Sequence, residues 1–200
     1  MTVLSKTFVA ILTILSIESV TSTTMAKTEK QKYDVVHSEK EFEIRFYPSA
    51  LLATVYSDAS TYRELAYPGF RKLAGYIFGG NESEAKISMT SPVHMDMNTA
   101  SMSFVMPSSF SEENLPKPDD PGVKIERTDA IYVAAIRFGG WASDRDIRNY
   151  SERLKSLLEA KGIKWYGNFR YLGYNPPFQP FGRRNEIIVN VEWKEDVAKK

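Results

Sequence analysis

Glu43-Ile44-Arg45-Phe46-Tyr47 runs into Ala50-Leu51-Leu52-Ala53-Thr54-Val55-Tyr56, and the pairing returns as Lys124-Ile125-Glu126-Arg127 running into Ile131-Tyr132-Val133-Ala134-Ala135-Ile136-Arg137-Phe138. Each pair couples a short charged strand to a longer run rich in β-branched and aromatic residues, the composition of a buried strand. A helical pattern follows each pair. The chain therefore reads as one strand-strand-helix-strand unit written twice.

After the first pair, Pro68 suits an early helical position, where its missing N–H costs nothing. Phe70, Leu73, Ala74 and Ile77 then recur at helical spacing, and Gly79-Gly80-Asn81 marks the turn that ends the helix. After the second pair, Ser143 is an N-cap with Asp144 and Asp146 in the electropositive first turn. Ile147, Tyr150, Leu154, Leu157 and Leu158 form the apolar stripe, and Gly162 supplies the stop. Between and beyond the helices the period becomes two. Ile87, Met89, Val93, Met95 and Met97 alternate with Lys86, Ser88, Thr90, His94 and Asp96; Met102, Phe104 and Met106 alternate with smaller neighbours; Ile187, Val189, Val191 and Trp193 alternate with Ile188, Asn190 and Glu192. This predicts antiparallel sheet with one packed face and one wetter face. Pro107–Gly122, rich in Ser, Pro and acids, is the surface loop joining the halves. Two helices among many strands give an α+β class.

A chain of 200 residues with 42% hydrophobic residues holds a real core and points to one domain. A net charge of +1 with no basic stripe argues against nucleic acid as a partner. There are no cysteines, and the only histidines are His37 and His94, so thiolate chemistry and multi-histidine metal centres are excluded and no metal is expected. Residues 1–26 differ from the rest: Lys6, an apolar run from Thr7 to Ile17, then small and hydroxyl-bearing residues from Ser19 to Ala26. That is the order of a secretory signal peptide, with cleavage after Ser22 or Ala26. It implies a secreted, periplasmic or other secretory-pathway protein. An organelle transit peptide, or a cytosolic start at Met25, are the competing readings. The apolar run is about half the ~20 residues a bilayer span needs, so no stable membrane anchor is expected. Residues 27–200 then form the single domain, expected to be monomeric.

Four segments stand in a telling order: Glu43-Ile44-Arg45; Lys86-Ile87-Ser88-Met89-Thr90-Ser91-Pro92-Val93; Phe138-Gly139-Gly140; and Gly173-Tyr174-Asn175-Pro176-Pro177-Phe178 running into Gly182-Arg183-Arg184-Asn185-Glu186. The Met-Thr-x-Pro-Val strand and the Tyr-Asn-Pro-Pro…Arg-Arg-Asn-Glu stretch resemble the SOUL heme-binding proteins, and the likeness runs from about Tyr33 to Trp193. The resemblance implies a distorted antiparallel β-barrel of two pseudo-symmetric halves, each with a flanking helix, that binds heme and other porphyrins reversibly and without turnover.

A porphyrin is an apolar disc with two carboxylates on one edge, so its carrier needs an apolar slot with a cationic rim. The slot is expected between Leu65, Phe70, Leu73 and Ile77 of the first helix and the segment carrying Tyr174, Phe178 and Phe181, stiffened by Pro176, Pro177 and Pro180. The competing reading is that these side chains only pack the fold. Arg183, Arg184, Arg71 and Lys72 are the propionate candidates, because guanidinium forks suit carboxylates. For Arg184, beside Asn185 and Glu186, an internal salt bridge competes. Some relatives carry a lysine where this chain has Gln179, which removes one rim cation. His94, beside Asp96, is the candidate axial ligand against the alternative of an exposed surface histidine; His37 is read as solvated. Met89, Met95, Met97, Met102 and Met106 are read as core filler rather than iron ligands. The expectation is apolar binding with no essential protein ligand, hence little discrimination between heme and metal-free porphyrin.

Catalytic patterns are missing: no cysteine, no Gly-x-Ser-x-Gly elbow, no phosphate-cradling glycine loop. Glu41, Glu43, Glu82 and Glu84 read as solvated surface acids without partners. A non-enzymatic tetrapyrrole carrier or buffer is the leading expectation. The alternatives are a module that senses or sequesters apolar ligands, favoured if an acid such as Glu192 faced a cleft, and a weak hydrolase or heme-modifying enzyme.

Overall fold

The computed structural model describes residues 28–176 and 178–194, so the targeting segment expected at 1–26 and the Pro177 expected to stiffen the aromatic segment lie outside the described residues. The strands are β1 (Glu29–Lys30), β2 (Asp34–Ser38), β3 (Phe42–Tyr47), β4 (Ala50–Tyr56), β5 (Thr90–Ser91), β6 (Val93–Asp96), β7 (Ser101–Val105), β8 (Val123–Thr128), β9 (Ile131–Phe138), β10 (Trp165–Gly173) and β11 (Asn185–Val191). Helix α1 (Tyr62–Ile77) follows β4, and α2 (Asp144–Ala160) follows β9. β1 and β5 form a small parallel pair; the other strands form one nine-stranded antiparallel sheet in the order β2-β3-β9-β11-β10-β6-β7-β4-β8.

That order carries the duplication. Exchange β3 with β8, β4 with β9, β6 with β10 and β7 with β11, and the run from β3 to β8 reads the same in reverse. Each unit ends in two strands after its helix, where the strand-strand-helix-strand unit has one. The halves are also interlocked. β3 pairs with β9 of the other half, β8 pairs with β4, and the centre is the β6–β10 ladder, where His94 faces Leu172. No pairing joins β2 to β8 among the described residues, so the ladder is an open sheet and hydrogen bonds do not close the expected barrel.

Both helices lie on one face. Leu65, Leu73 and Ile77 from α1 and Ile147, Leu154 and Leu158 from α2 pack on Phe42, Ile44, Ala53, Ala134, Ile136, Ile187 and Val189. Burial of each such leucine or isoleucine contributes about 1.5–3 kcal/mol. The opposite face is not the wetter one that alternation predicts. Tyr47, Val133, Ala135, Leu172 and Ile188 are buried there against Tyr33, Ile131 and Tyr174, together with Arg45 and Glu186. Period two therefore separates two buried environments, one the large apolar core under the helices and the other a smaller cluster that also encloses the charged Arg45 and Glu186.

Helix α1 starts earlier than expected. Thr61 is its N-cap, accepting from the Glu64 N–H at 3.2 Å, while Glu64 Oε2 accepts from the Ser60 N–H at 2.9 Å. Pro68 is thus interior rather than at the start, and the buried stripe is Leu65, Gly69, Leu73, Tyr76 and Ile77, leaving Phe70 37% exposed. Asn81 ends the turn as a buried staple: its Nδ2 donates to the Tyr76 and Ala85 carbonyls, and its Oδ1 accepts from Ser83 and Ala85. Helix α2 follows its sequence signals, with a Ser143–Asp146 capping box and Gly162 in the left-handed region at φ 66°.

Candidate functional site: an aromatic loop beside an arginine-lined cleft

The chain between β10 and β11 folds back through a loop tied to itself by polar groups. Asn175 Oδ1 accepts from the Arg184 N–H at 2.6 Å, and Gln179 Nε2 donates to the Phe181 carbonyl at 2.9 Å. Arg183 Nη1 donates to the carbonyls of Pro176 (3.0 Å) and Gln179 (2.8 Å), and its guanidinium lies 4.1 Å from the centre of the Trp141 ring. With the polar atoms turned inward, Phe178 and Phe181 stand out in solvent at 83% and 84% exposure. Water contact on that scale is unusual for a pair of phenylalanines so close in sequence.

Behind the loop lies a buried charge cluster. Glu186, with 0% exposure, accepts from Arg45 Nη1 (2.7 Å) and Nη2 (3.1 Å), from Arg184 Nε (3.0 Å) and Nη2 (2.7 Å), and from the Tyr174 hydroxyl (2.9 Å). Burial alone would raise its pKa, but the hydrogen bonds and charges of Arg45 and Arg184 outweigh that and hold it below the ordinary carboxylate range. Arg45 also donates to Glu43 at 2.8 Å, and Arg184 to the Tyr33 hydroxyl at 2.9 Å. The rings of Tyr33 and Tyr174 lie against these two guanidinium groups, at 4.3 and 4.0 Å. Arg184 is therefore the internal salt-bridge residue of the competing reading, and Tyr174 is part of the same cluster.

His94 is half-buried rather than on the surface. Its Nε2 lies 2.8 Å from Gln31 Oε1. Burial first, and the charge of Arg170 second, push its pKa down to about 3 against the pull of Glu186, so the imidazole is neutral. Asp96 does not orient it; that carboxylate accepts from the Asn98 and Thr99 N–H groups and from Asn168 Nδ2. His37, part-exposed, pairs with Glu39 at 3.1 Å and tilts against Trp193. Met95, Met102 and Met106 are buried core, with Met89 and Met97 packed at its edge.

The expected slot-forming residues divide. Leu65, Leu73 and Ile77 are each no more than 1% exposed and sit inside the core, where they support α1 rather than face a ligand. Phe70 is partly exposed and packs edge-on to Phe104 at 5.2 Å; Arg71 and Lys72 are exposed on the same helix. No hydrogen bond or ring contact among the described residues links α1 to the aromatic loop. What adjoins Arg183 instead is a cleft of about 1210 Å³ between β3, β9 and α2, with Phe42, Ile136 and Phe138 among its lining residues, together with Arg137, Arg153 and Arg184. A second cavity, near β4 and β7, holds about 270 Å³. The cleft was not legible in the sequence, because its walls meet only through strand pairing and the packing of α2 on the sheet; Arg137 stands opposite Glu186 in the β9–β11 ladder. Of the acids read as unpartnered, Glu41 pairs with Arg153, Glu43 with Arg45, and Glu82 accepts from the Lys117 N–H. Glu192 is exposed, 3.9 Å from Lys164, and does not line the cleft.

These features define the class: a duplicated α+β protein with two helices on one face of a large antiparallel sheet and an aromatic, arginine-bearing end. The chain belongs to the SOUL heme-binding protein family, whose model matches residues 28–190, and heme is the ligand that this membership assigns. It is 30% identical to heme-binding protein 1 of Mus musculus over 78% of this chain and 84% of the mouse protein. It is also 30% identical to heme-binding protein 2 of Homo sapiens over 73% of this chain and 76% of the human protein. Among solved structures, the C-terminal domain of EcmrR superposes with a TM-score of 0.53 at 14% identity, covering 80% of this chain and 98% of that domain. A Listeria innocua hydrolase superposes with a TM-score of 0.52 at 13% identity, over 83% of this chain and all of that one. At those identities the likeness is one of fold.

Proposed function

We propose that the chain binds heme and related porphyrins reversibly, as a carrier or buffer without turnover, on the aromatic loop between β10 and β11. The observation that carries this reading is the near-complete exposure of Phe178 and Phe181 on a loop whose backbone is tied down by Arg183, Gln179 and Asn175. Such rings lose little entropy on binding, and covering each contributes about 1.5–3 kcal/mol. The loop fits two of the group's three chemical requirements. Phe178 and Phe181 suit the disc face, with Phe70 of α1 as a further exposed ring. Arg183 suits a carboxylate, and Arg71 is a second exposed cation. The third, an axial donor, has no ready candidate: His94 Nε2 is engaged with Gln31, on a strand remote in sequence from the loop. The bound group supplies whatever redox or spectral chemistry the complex has. The protein's part is to cover the disc and neutralise its carboxylates. We further propose that the protein acts as a monomer and that residues 1–26 direct it into a secretory compartment.

The test is a Soret titration of the full chain with hemin and protoporphyrin in parallel. Comparable affinities are expected for the two, with a loss of about tenfold or more for both in Phe178→Ala/Phe181→Ala, and no change in His94→Ala. Wild-type affinity in the double alanine variant, or selective hemin binding lost with His94, would overturn the reading. A heme spectrum that bleaches with accompanying product release would replace carriage by chemistry.

A further inference from the structure

We infer that the cleft between α2 and the β3–β9 ladder is a binding site for an organic anion bearing two or more carboxylates. The reason is a mismatch of donors and acceptors along its walls. Every acid on the cleft is engaged. Glu186 is held by Arg45, Arg184 and Tyr174, Glu43 by Arg45, and Glu41 by Arg153. Glu39 is held by Lys161 and His37, and Asp146 by Ser143 at the start of α2. Three cations on the same walls are not matched. Arg137 and Lys40 have no hydrogen bond or ion pair among the described residues, although both line the cleft. Arg183 donates only to carbonyl oxygens, and its Nε is buried without an acceptor.

A buried N–H with no partner is costly, and a fork already oriented over Trp141 loses little freedom on meeting a carboxylate. Arg137 stands on β9 directly across the ladder from Glu186, whose charge is already spent on two arginines, so it has no acid of its own. Phe42, Ile136 and Phe138, each no more than 6% exposed, form the floor of the cleft, and its open walls are polar. Its volume of about 1210 Å³ is ample for such an anion. Two sources share this chemistry: a free polycarboxylate, and the acidic edge of a tetrapyrrole whose disc lies on the loop outside. The inference rests on the cleft alone and does not require the loop reading.

Isothermal titration of the full chain with citrate, and spectral titration with hemin and hemin dimethyl ester, separate these cases. Arg137→Ala is compared with Arg148→Ala, an exposed cation of α2 outside the cleft, with circular dichroism confirming that both fold. Citrate is expected to bind wild type and Arg148→Ala alike, and about tenfold or more weakly to Arg137→Ala. If hemin also binds more tightly than its ester, and Arg137→Ala abolishes that difference, the tetrapyrrole edge is the source. If citrate binding depends on Arg137 while hemin binding does not, the source is a free polycarboxylate. No citrate heat, together with hemin affinity indifferent to both esterification and Arg137→Ala, overturns the inference. Citrate binding without any hemin spectrum would end the loop reading and leave this one standing.

Discussion

Glu186 is fully enclosed yet charged, because two arginines and a tyrosine hydroxyl supply the hydrogen bonds that water would otherwise give. His94 solves the same problem by staying neutral. The difference has a consequence for stability. The folded pKa of His94 lies near 3, well below its ordinary 6.5, so between those values the unfolded chain takes up a proton that the native state refuses. Its contribution to stability is therefore complete above about pH 6.5 and is lost progressively as pH falls. Glu186, with its pKa lowered, adds a second loss only below its ordinary value of 4.5. The melting temperature is expected to fall between about pH 7 and about pH 5, with a shallower fall in His94→Gln. Parallel slopes for the two proteins, followed by calorimetry, would contradict the assignment. At this scale the sequence was partly legible. Arg184 beside Glu186 announced a local ion pair, which exists, whereas Arg45 reaches Glu186 only through strands far apart in the chain.

The helices show what local signals can and cannot place. The Ser143 cap, the acidic first turn and Gly162 are encoded within a few residues, and α2 obeys them. In α1 the capping signal lies upstream of Pro68, in Thr61 and Glu64, and the buried stripe runs through Leu65, Gly69, Leu73, Tyr76 and Ile77 rather than through Phe70. Phe70 consequently turns partly outward, and Gly69 takes the inward place, where an added Cβ would sit 3.3 Å from Met102. Pro68 is the element's weak point, because an interior proline deletes one helical hydrogen bond and crowds the preceding turn. Pro68→Ala should stabilise the protein by about 1–2 kcal/mol, a fraction of the ~3 kcal/mol propensity difference, since the unfolded chain also gains freedom. Denaturant melts would show the midpoint rising without a change in slope; a lower midpoint would mean that the packing of α1 requires the proline ring.

At the scale of the molecule, the palindromic sheet makes the two halves interdependent. β3 completes its ladder on β9, and β8 on β4, so a separated half exposes strand edges and an unpaired hydrophobic face. Residues 28–106 alone are expected to show no cooperative melt, and mixing them with residues 107–194 to restore the far-ultraviolet spectrum of the whole. A cooperative transition in either fragment alone would mean that the units are autonomous. The same interlocking explains the failure of the wet-face expectation. Alternation reported two chemically distinct faces, and the fold buried both.

Read alone, the chain determined its α+β class, its duplication, both ends of α2 and the family to which it belongs. Those follow from periodicity, capping chemistry and short ordered motifs, each contained in a few neighbouring residues. Tertiary structure alone decided which half supplies each strand's partner, that Leu65, Leu73 and Ile77 point inward while Phe178 and Phe181 stand free, and that Arg137 faces a cleft without an acid of its own. Strand pairing and desolvation act between residues distant in sequence, and no local pattern encodes which of two apolar surfaces will be covered.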